Sequence, residues 1–367
     1  MKDKRTILYL LIISTFLLSM MALMVYADTN PNTSARAATL YSPDTDSFLI
    51  SKNVGMHLPM ASTTKIMTAL IAIERLNMNE SVCVPSEAVG IEGSSLYLKE
   101  GDIITVADLV YSLLLQSAND AAVVLALKTS GSVEAFADLM NERAAEIGAT
   151  DTHFENPHGL DSENHYTTAK DLALIAACAL KNDTFRRIAS TYKYSFRIGD
   201  KTRTVVNHNK LLKSYDGCIG VKTGYTKKCG RCLVSAAYRD GVTLVAVTLS
   251  APDDWRDHKN MLDSGFELLK AEKTSELAQI PGEIPVISSD KTFVRIGLRE
   301  ADTYTVLYKD DTEVSVDLSL PTYIARSIKS GEKIGSIIIK TNYFTKEADI
   351  IALEDITVKK PKRSFFN

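Results

Sequence analysis

The chain has 367 residues, of which 45% are hydrophobic and 24% charged, and its formal net charge is −3. That length exceeds one typical compact domain and suffices for two, each with its own core; the near-neutral balance leaves no basic footprint and excludes nucleic acid as the expected partner. Five cysteines are an odd number, which argues against a fully paired disulfide framework.

Lys2, Lys4 and Arg5 precede an uncharged run from Thr6 to Ala27 rich in Leu, Ile and Met and ending in Val25-Tyr26-Ala27. This reads as an export signal over 1–27, with mature protein from Asp28 if it is cleaved and an anchor if it is kept; either way the rest lies outside the cytoplasm. Two short apolar runs, Ala37 to Tyr41 and Ser47 to Ser51, flank the turn cluster Pro43-Asp44-Thr45-Asp46 and predict a hairpin. From Ile66 to Leu76 apolar residues cover most of a helix circumference, so a buried helix is expected to start at Ser62 or Thr63. Leu109 to Leu115 and Ala121 to Leu127 form a helical pair broken at Gln116 to Asp120, and further helices are expected at Val133 to Ile147 and Thr168 to Leu180. Strand patterning returns at Gly217 to Gly224, Cys232 to Tyr238 and Val242 to Leu249, the last two joined by the turn Asp240-Gly241. A helix from about Asp257 to Leu269 follows. Strands at both ends of a helical middle predict an α+β domain over 28–271, whose antiparallel sheet joins early and late segments.

Residues 272–285 turn polar and end near Ile280-Pro281-Gly282, reading as a linker. Six short alternating runs over 286–358 predict a small all-β sandwich acting as a spacer or docking module. The tail, 359–367, is Lys359-Lys360-Pro361-Lys362-Arg363-Ser364-Phe365-Phe366-Asn367; its cations and two phenylalanines allow peripheral contact with an anionic membrane surface. Cys229-Gly230-Arg231-Cys232 has redox-pair spacing, but on a shared strand the side chains would face opposite sides roughly 10 Å apart at about 3.3 Å per residue. Buried apolar packing is the expected role of these thiols. No metal site and no cofactor are expected, because the remaining histidines and cysteines lack ligand spacing.

Three motifs occur in one order: Ser62-Thr63-Thr64-Lys65, Ser117-Ala118-Asn119 and Lys222-Thr223-Gly224. A serine hydroxyl needs a nearby base before it can attack a carbonyl. Spacing of three puts Ser62 and Lys65 on one helix face, and helix-start amides near Ser62 favour developing negative charge. Desolvation and a neighbouring cation would favour the neutral lysine. Taken alone the pair is as readily an N-cap serine with a solvated lysine; the apolar run after Lys65 favours the buried reading. Ser117 can relay a proton, and Asn119 can bind a substrate amide or hold Lys65. Lys222 and Thr223 point to opposite sides of a strand, both of which can meet a cleft if that strand is at an edge, and Gly224 leaves room for an extended peptide. The amides of Ser62 and of Tyr225 or Thr226 are candidates for an oxyanion hole.

The ordered trio belongs to serine acyltransferases of the penicillin-binding and class A β-lactamase type. With Asn156-Pro157-His158-Gly159-Leu160, His165-Tyr166-Thr167-Thr168-Ala169 and Asp216 to Thr226, the chain resembles the serine-type D-Ala-D-Ala carboxypeptidases, the low-molecular-mass penicillin-binding proteins, over about residues 35 to 270. The resemblance implies a β-lactamase/transpeptidase-like domain and a hydrolase that removes the terminal D-Ala from peptidoglycan stem pentapeptides and is acylated by β-lactams. It implies Ser62 as nucleophile, Lys65 as base and Ser117 as a catalytic residue. It also implies Asn119, Lys222, Thr223 and Gly224 in substrate binding, and Arg256 in carboxylate recognition. His158 and His165 read as structural, since a Ser-Lys mechanism gives an imidazole no task. Competing readings are a D,D-endopeptidase, a β-lactamase, for which no deacylating glutamate is evident, and a non-catalytic wall-binding protein.

Overall fold

The computed structural model describes residues 32–287, 289–300, 305–309, 314–341 and 345–358. The expected export segment, 1–27, and the basic tail, 359–367, lie outside them. Among the described residues no helix is long and apolar enough to cross a membrane.

The first hairpin forms as β1 (Ala37–Ser42) and β2 (Ser47–Lys52). Short strands β3 (Ser81–Cys83) and β4 (Ile103–Thr105) pair with each other, as do β5 (Lys193–Ile198) and β6 (Lys201–Val206). That last hairpin is not among the elements expected from the sequence, although Tyr194, Phe196 and Ile198 alternate before the turn Gly199-Asp200. β7 (Cys218–Thr226), β8 (Gly230–Arg239) and β9 (Val242–Leu249) complete a five-stranded sheet ordered β2-β1-β9-β8-β7. All its pairings are antiparallel, with β1 beside β9, so the sheet does join the two ends of the domain. β7, which carries the third motif, is an edge strand.

Helices Lys65–Arg75, Val106–Leu115, Asn119–Ser130, Val133–Ile147 and Ala169–Leu180 pack on one face of this sheet. Their starts follow side-chain capping logic: Thr105, Ser132 and Thr168 each accept a hydrogen bond from a backbone amide of the first turn. Helix Asp254–Leu268 covers the other face through Met261 and Leu262, which pack with Leu40, Leu233 and Leu244. The sheet is therefore dry on both sides, which is why β9 reads as a continuous apolar run.

Residues 272–285 are structured rather than a bare connection. β10 (Leu269–Lys273) pairs with a strand at Thr305–Lys309, helix Thr274–Ala278 buries Ala278, and β11 (Glu283–Pro285) joins the next sheet. That sheet is five-stranded and antiparallel, built from β11, β12 (Phe293–Leu298), β14 (Ser315–Ser319), β15 (Lys333–Lys340) and β16 (Thr345–Ala352), with β13 being Thr305–Lys309. It closes on its own core of Ile284, Val294, Ile296, Ile337, Ile339 and Ile350.

One expectation fails. Cys229 precedes β8 rather than sharing it, and Gly230, at φ +69°, turns the backbone between them. The geometry of a shared strand therefore does not apply to the pair: the Cys229 thiol meets Thr226 and the Gly230 carbonyl, and the Cys232 thiol the Pro59 carbonyl. Both remain free and buried in the apolar core.

Candidate active site

Ser62 sits in a 3-10 turn, Ala61–Thr64, that runs directly into the helix beginning at Lys65. Ala61 is held at φ +47°, a region costly for a residue with a side chain. The turn is fixed by Thr63, whose hydroxyl donates to the Met60 carbonyl at 2.6 Å, and by Gly159, whose absent side chain makes room for it. A Cβ on Gly159 would lie 2.0 Å from the Ala61 carbonyl oxygen. On the strand side Gly224 does the same: its Cβ would lie 3.1 Å from the Ser62 amide nitrogen.

Lys65 is fully withdrawn from solvent. Its Nζ donates to Ser62 Oγ at 3.0 Å, to Asn119 Oδ1 at 2.7 Å and to the His158 carbonyl. Burial, and then the charge of Lys222, push the Lys65 ammonium well below its ordinary value, against an opposing pull from Asp120. Lys222 is likewise buried, which brings it down to about 7; its Nζ donates to the Thr223 carbonyl at 2.9 Å.

The second motif lies at the helix break, where Ser117 adopts φ +66° and turns into the cleft. Asn119 is committed inside the protein: Oδ1 accepts from Lys65 and Nδ2 donates to the Glu92 carbonyl. Of the two roles expected of Asn119, holding Lys65 is the one these contacts display. Asp120, also buried, accepts from Ser95 Oγ and from the Leu96 and Leu98 amides, pinning the neighbouring loop.

The two histidines serve the frame. His165 Nδ1 accepts from the Glu155 amide, so Nε2 carries the proton donated to Thr64 Oγ1 at 2.7 Å. Burial holds His165 down to about 4 and His158 to about 3, so both are neutral. What His158 gives the site is its backbone oxygen.

Ser62, Ser117, Thr223 and Gly224 line one cleft of about 330 Å³, together with Ser94, His208, Lys210, Tyr225, Arg231, Asp254 and Trp255. Lys65, Asn119 and Lys222 stand behind its wall. Arg256 is elsewhere: its side chain is 68% exposed and ion-paired with Asp253. Positions two apart on a helix point roughly 200° apart, so with Asp254 in the cleft Arg256 faces away. The cleft's arginine is Arg231, which follows the third motif by seven residues after Gly224. Only the β7–β8 register, which sets it opposite Tyr225, brings it there. Among the described residues no three His, Cys, Asp or Glu side chains converge as a metal site.

A serine hydroxyl, a dry lysine at hydrogen-bond distance and an edge strand form an acyl-transfer apparatus, and the comparisons with known proteins agree. The family model described as D-alanyl-D-alanine carboxypeptidase matches residues 24–253. The chain is 31% identical over 337 residues to the D-alanyl-D-alanine carboxypeptidase DacF of Bacillus subtilis, an alignment covering 89% of this chain and 85% of that relative. Penicillin-binding protein 5 of Haemophilus influenzae superposes with a TM-score of 0.66 at 26% identity, over 90% of this chain and 99% of that one. A Streptomyces DD-transpeptidase gives a TM-score of 0.62 at 33% identity, over 65% of this chain and 100% of its own. The chain belongs to the D-alanyl-D-alanine carboxypeptidase family of serine peptidases.

Proposed function

We propose that the protein is a serine-type D-Ala-D-Ala carboxypeptidase that trims the terminal D-Ala from peptidoglycan stem peptides. Ser62 Oγ attacks the carbonyl of the penultimate D-Ala while Lys65, whose neutral amine donates to Asn119 Oδ1 and the His158 carbonyl and turns its lone pair to the Ser62 hydroxyl, takes its proton. The amides of Ser62 and Tyr225 steady the oxyanion. Ser117 relays a proton to the departing amine, D-Ala leaves, and water then hydrolyses the Ser62 ester to free enzyme and shortened peptide. A β-lactam enters by the same attack, its amide bond opening to leave an acyl-Ser62 adduct. The observation that carries this reading is the 3.0 Å contact between Ser62 Oγ and a completely buried Lys65 Nζ.

Substrates of this kind lie outside the cytoplasmic membrane, in keeping with residues 1–27 as an export segment and the 359–367 tail as a weak surface contact. Intact mass and peptide mapping after brief exposure of residues 28–367 to benzylpenicillin test the mechanism. A persistent adduct on Ser62, absent in Ser62→Ala, is expected. Rapid antibiotic loss without an adduct would point to a β-lactamase, and no adduct with intact antibiotic to a non-catalytic protein.

A further inference from the structure

We propose that Arg231, supported by Lys210, is the specificity residue that reads the free carboxylate at the end of the peptide, the part first expected of Arg256. The inference rests on the carboxypeptidase reading above and concerns the same cleft.

The cleft runs from Ser62 across Thr223 to the start of helix Asp254–Leu268, and the charges along it are uneven. Its lining cations are Lys210 and Arg231, its lining acid Asp254. Asp254 is spent within the protein: its Oδ1 accepts from Arg231 Nε at 3.0 Å, from Arg231 Nη2 at 2.8 Å and from the Trp255 amide at 2.9 Å. The Asp254 side chain is 4% exposed and that of Arg231 42%, so the pair is anchored at its buried end and open at the other. Nη1 of Arg231 has no hydrogen-bond partner among the described residues. A guanidinium locked along one edge presents its remaining donors in a fixed plane, the arrangement that suits a carboxylate.

The Trp255 ring fixes the neighbourhood further. Arg231 Cζ lies 5.7 Å and Lys210 Nζ 5.9 Å from its centroid. Lys210 is exposed and forms no ion pair among the described residues, so it brings positive charge that nothing there cancels. Register completes the case. On β7 residues 223 and 225 share a face, and Tyr225 is paired with Arg231 across the ladder. Arg231 therefore stands on the Thr223 side of the sheet edge, one strand further in, where a peptide laid along β7 with its reacting carbonyl at Ser62 would place its last carboxylate.

The test compares an acyl-D-Ala-D-Ala peptide with its C-terminal amide in steady-state kinetics. Arg231→Gln should lower kcat/KM for the acid roughly 10–100-fold, mainly through KM, the range of a lost charge-assisted hydrogen bond. It should leave the amide nearly unchanged, so that the acid-over-amide preference collapses. Lys210→Gln should do the same more weakly and Arg256→Gln should not. Because Arg231→Gln orphans a buried carboxylate, Arg231→Gln/Asp254→Asn is measured beside it and should show the same collapse. A preference that survives both variants overturns the proposal while leaving the peptidase reading intact. A wild-type protein that releases neither D-Ala from the acid nor D-alaninamide from the amide overturns both.

Discussion

Lys65 and Lys222 are both buried in the same site, and the charge of Lys222 is one of the forces that lower the pKa of Lys65. Two lysines are thus held where burial disfavours the charged form of either. The arrangement costs stability and yields a lysine that can accept a proton.

Replacing Lys65 by Arg keeps a cation but removes a group that can lose its proton. Acylation of Ser62 by benzylpenicillin should slow by roughly 10²–10⁴-fold, the range for loss of a positioned general base. Stopped-flow or quenched-flow acylation rates check this; a variant within a few-fold of wild type would remove Lys65 from the base role.

Lys222 falls from its ordinary 10.5 to about 7 on folding. Between those values the unfolded chain holds a proton that the folded chain has released, so this group makes stability rise with pH from about 7 to about 10.5. Below that window its penalty is present in full. Lys222→Met should therefore raise Tm most near pH 6 and progressively less toward pH 10, while impairing activity. A Tm gain independent of pH would contradict the assigned burial cost.

Asn119 Oδ1 accepts from Lys65 Nζ at 2.7 Å. Asn119→Asp puts an anion at that point, which favours the lysine's charged form. The acid limb of the kcat/KM profile should move to higher pH, with lost activity near neutrality partly recovered in alkali. An unshifted limb would mean that Lys65 is not the group titrating.

Gly159 and Gly148 both have positive φ, at +85° and +87°, but only Gly159 faces backbone: a Cβ there would meet the Ala61 oxygen at 2.0 Å, whereas one on Gly148 would find nothing within 4 Å. Gly148→Ala should cost about 1 kcal/mol, from conformation alone. Gly159→Ala should cost at least twice that and slow acylation by displacing the nucleophile turn. Denaturant unfolding with acylation rates separates the two; equal costs would show that the turn yields freely.

Much of the site is legible in the sequence because its chemistry depends on local spacing. Ser62 and Lys65 meet since three residues make about one turn, and Ser117 lies at a break that the change in patterning marks. The capped helix starts and the β8–β9 hairpin are equally readable, their signals lying within a few residues. Arg256 does not line the cleft, because a cation's place in sequence says nothing of the side of the helix it occupies. Cys229 misleads because one left-handed glycine moves it off the strand.

By itself the sequence determined the two-part α+β and all-β architecture, the order of the motifs and the closeness of Ser62 to Lys65, all set by periodicities and contacts of short range. Only the tertiary structure decided that Asn119 faces Lys65, that the His158 carbonyl completes that lysine's shell and that Arg231 enters the cleft. Each depends on segments far apart in the chain whose meeting is fixed by packing on both faces of one sheet, and no local pattern records that packing.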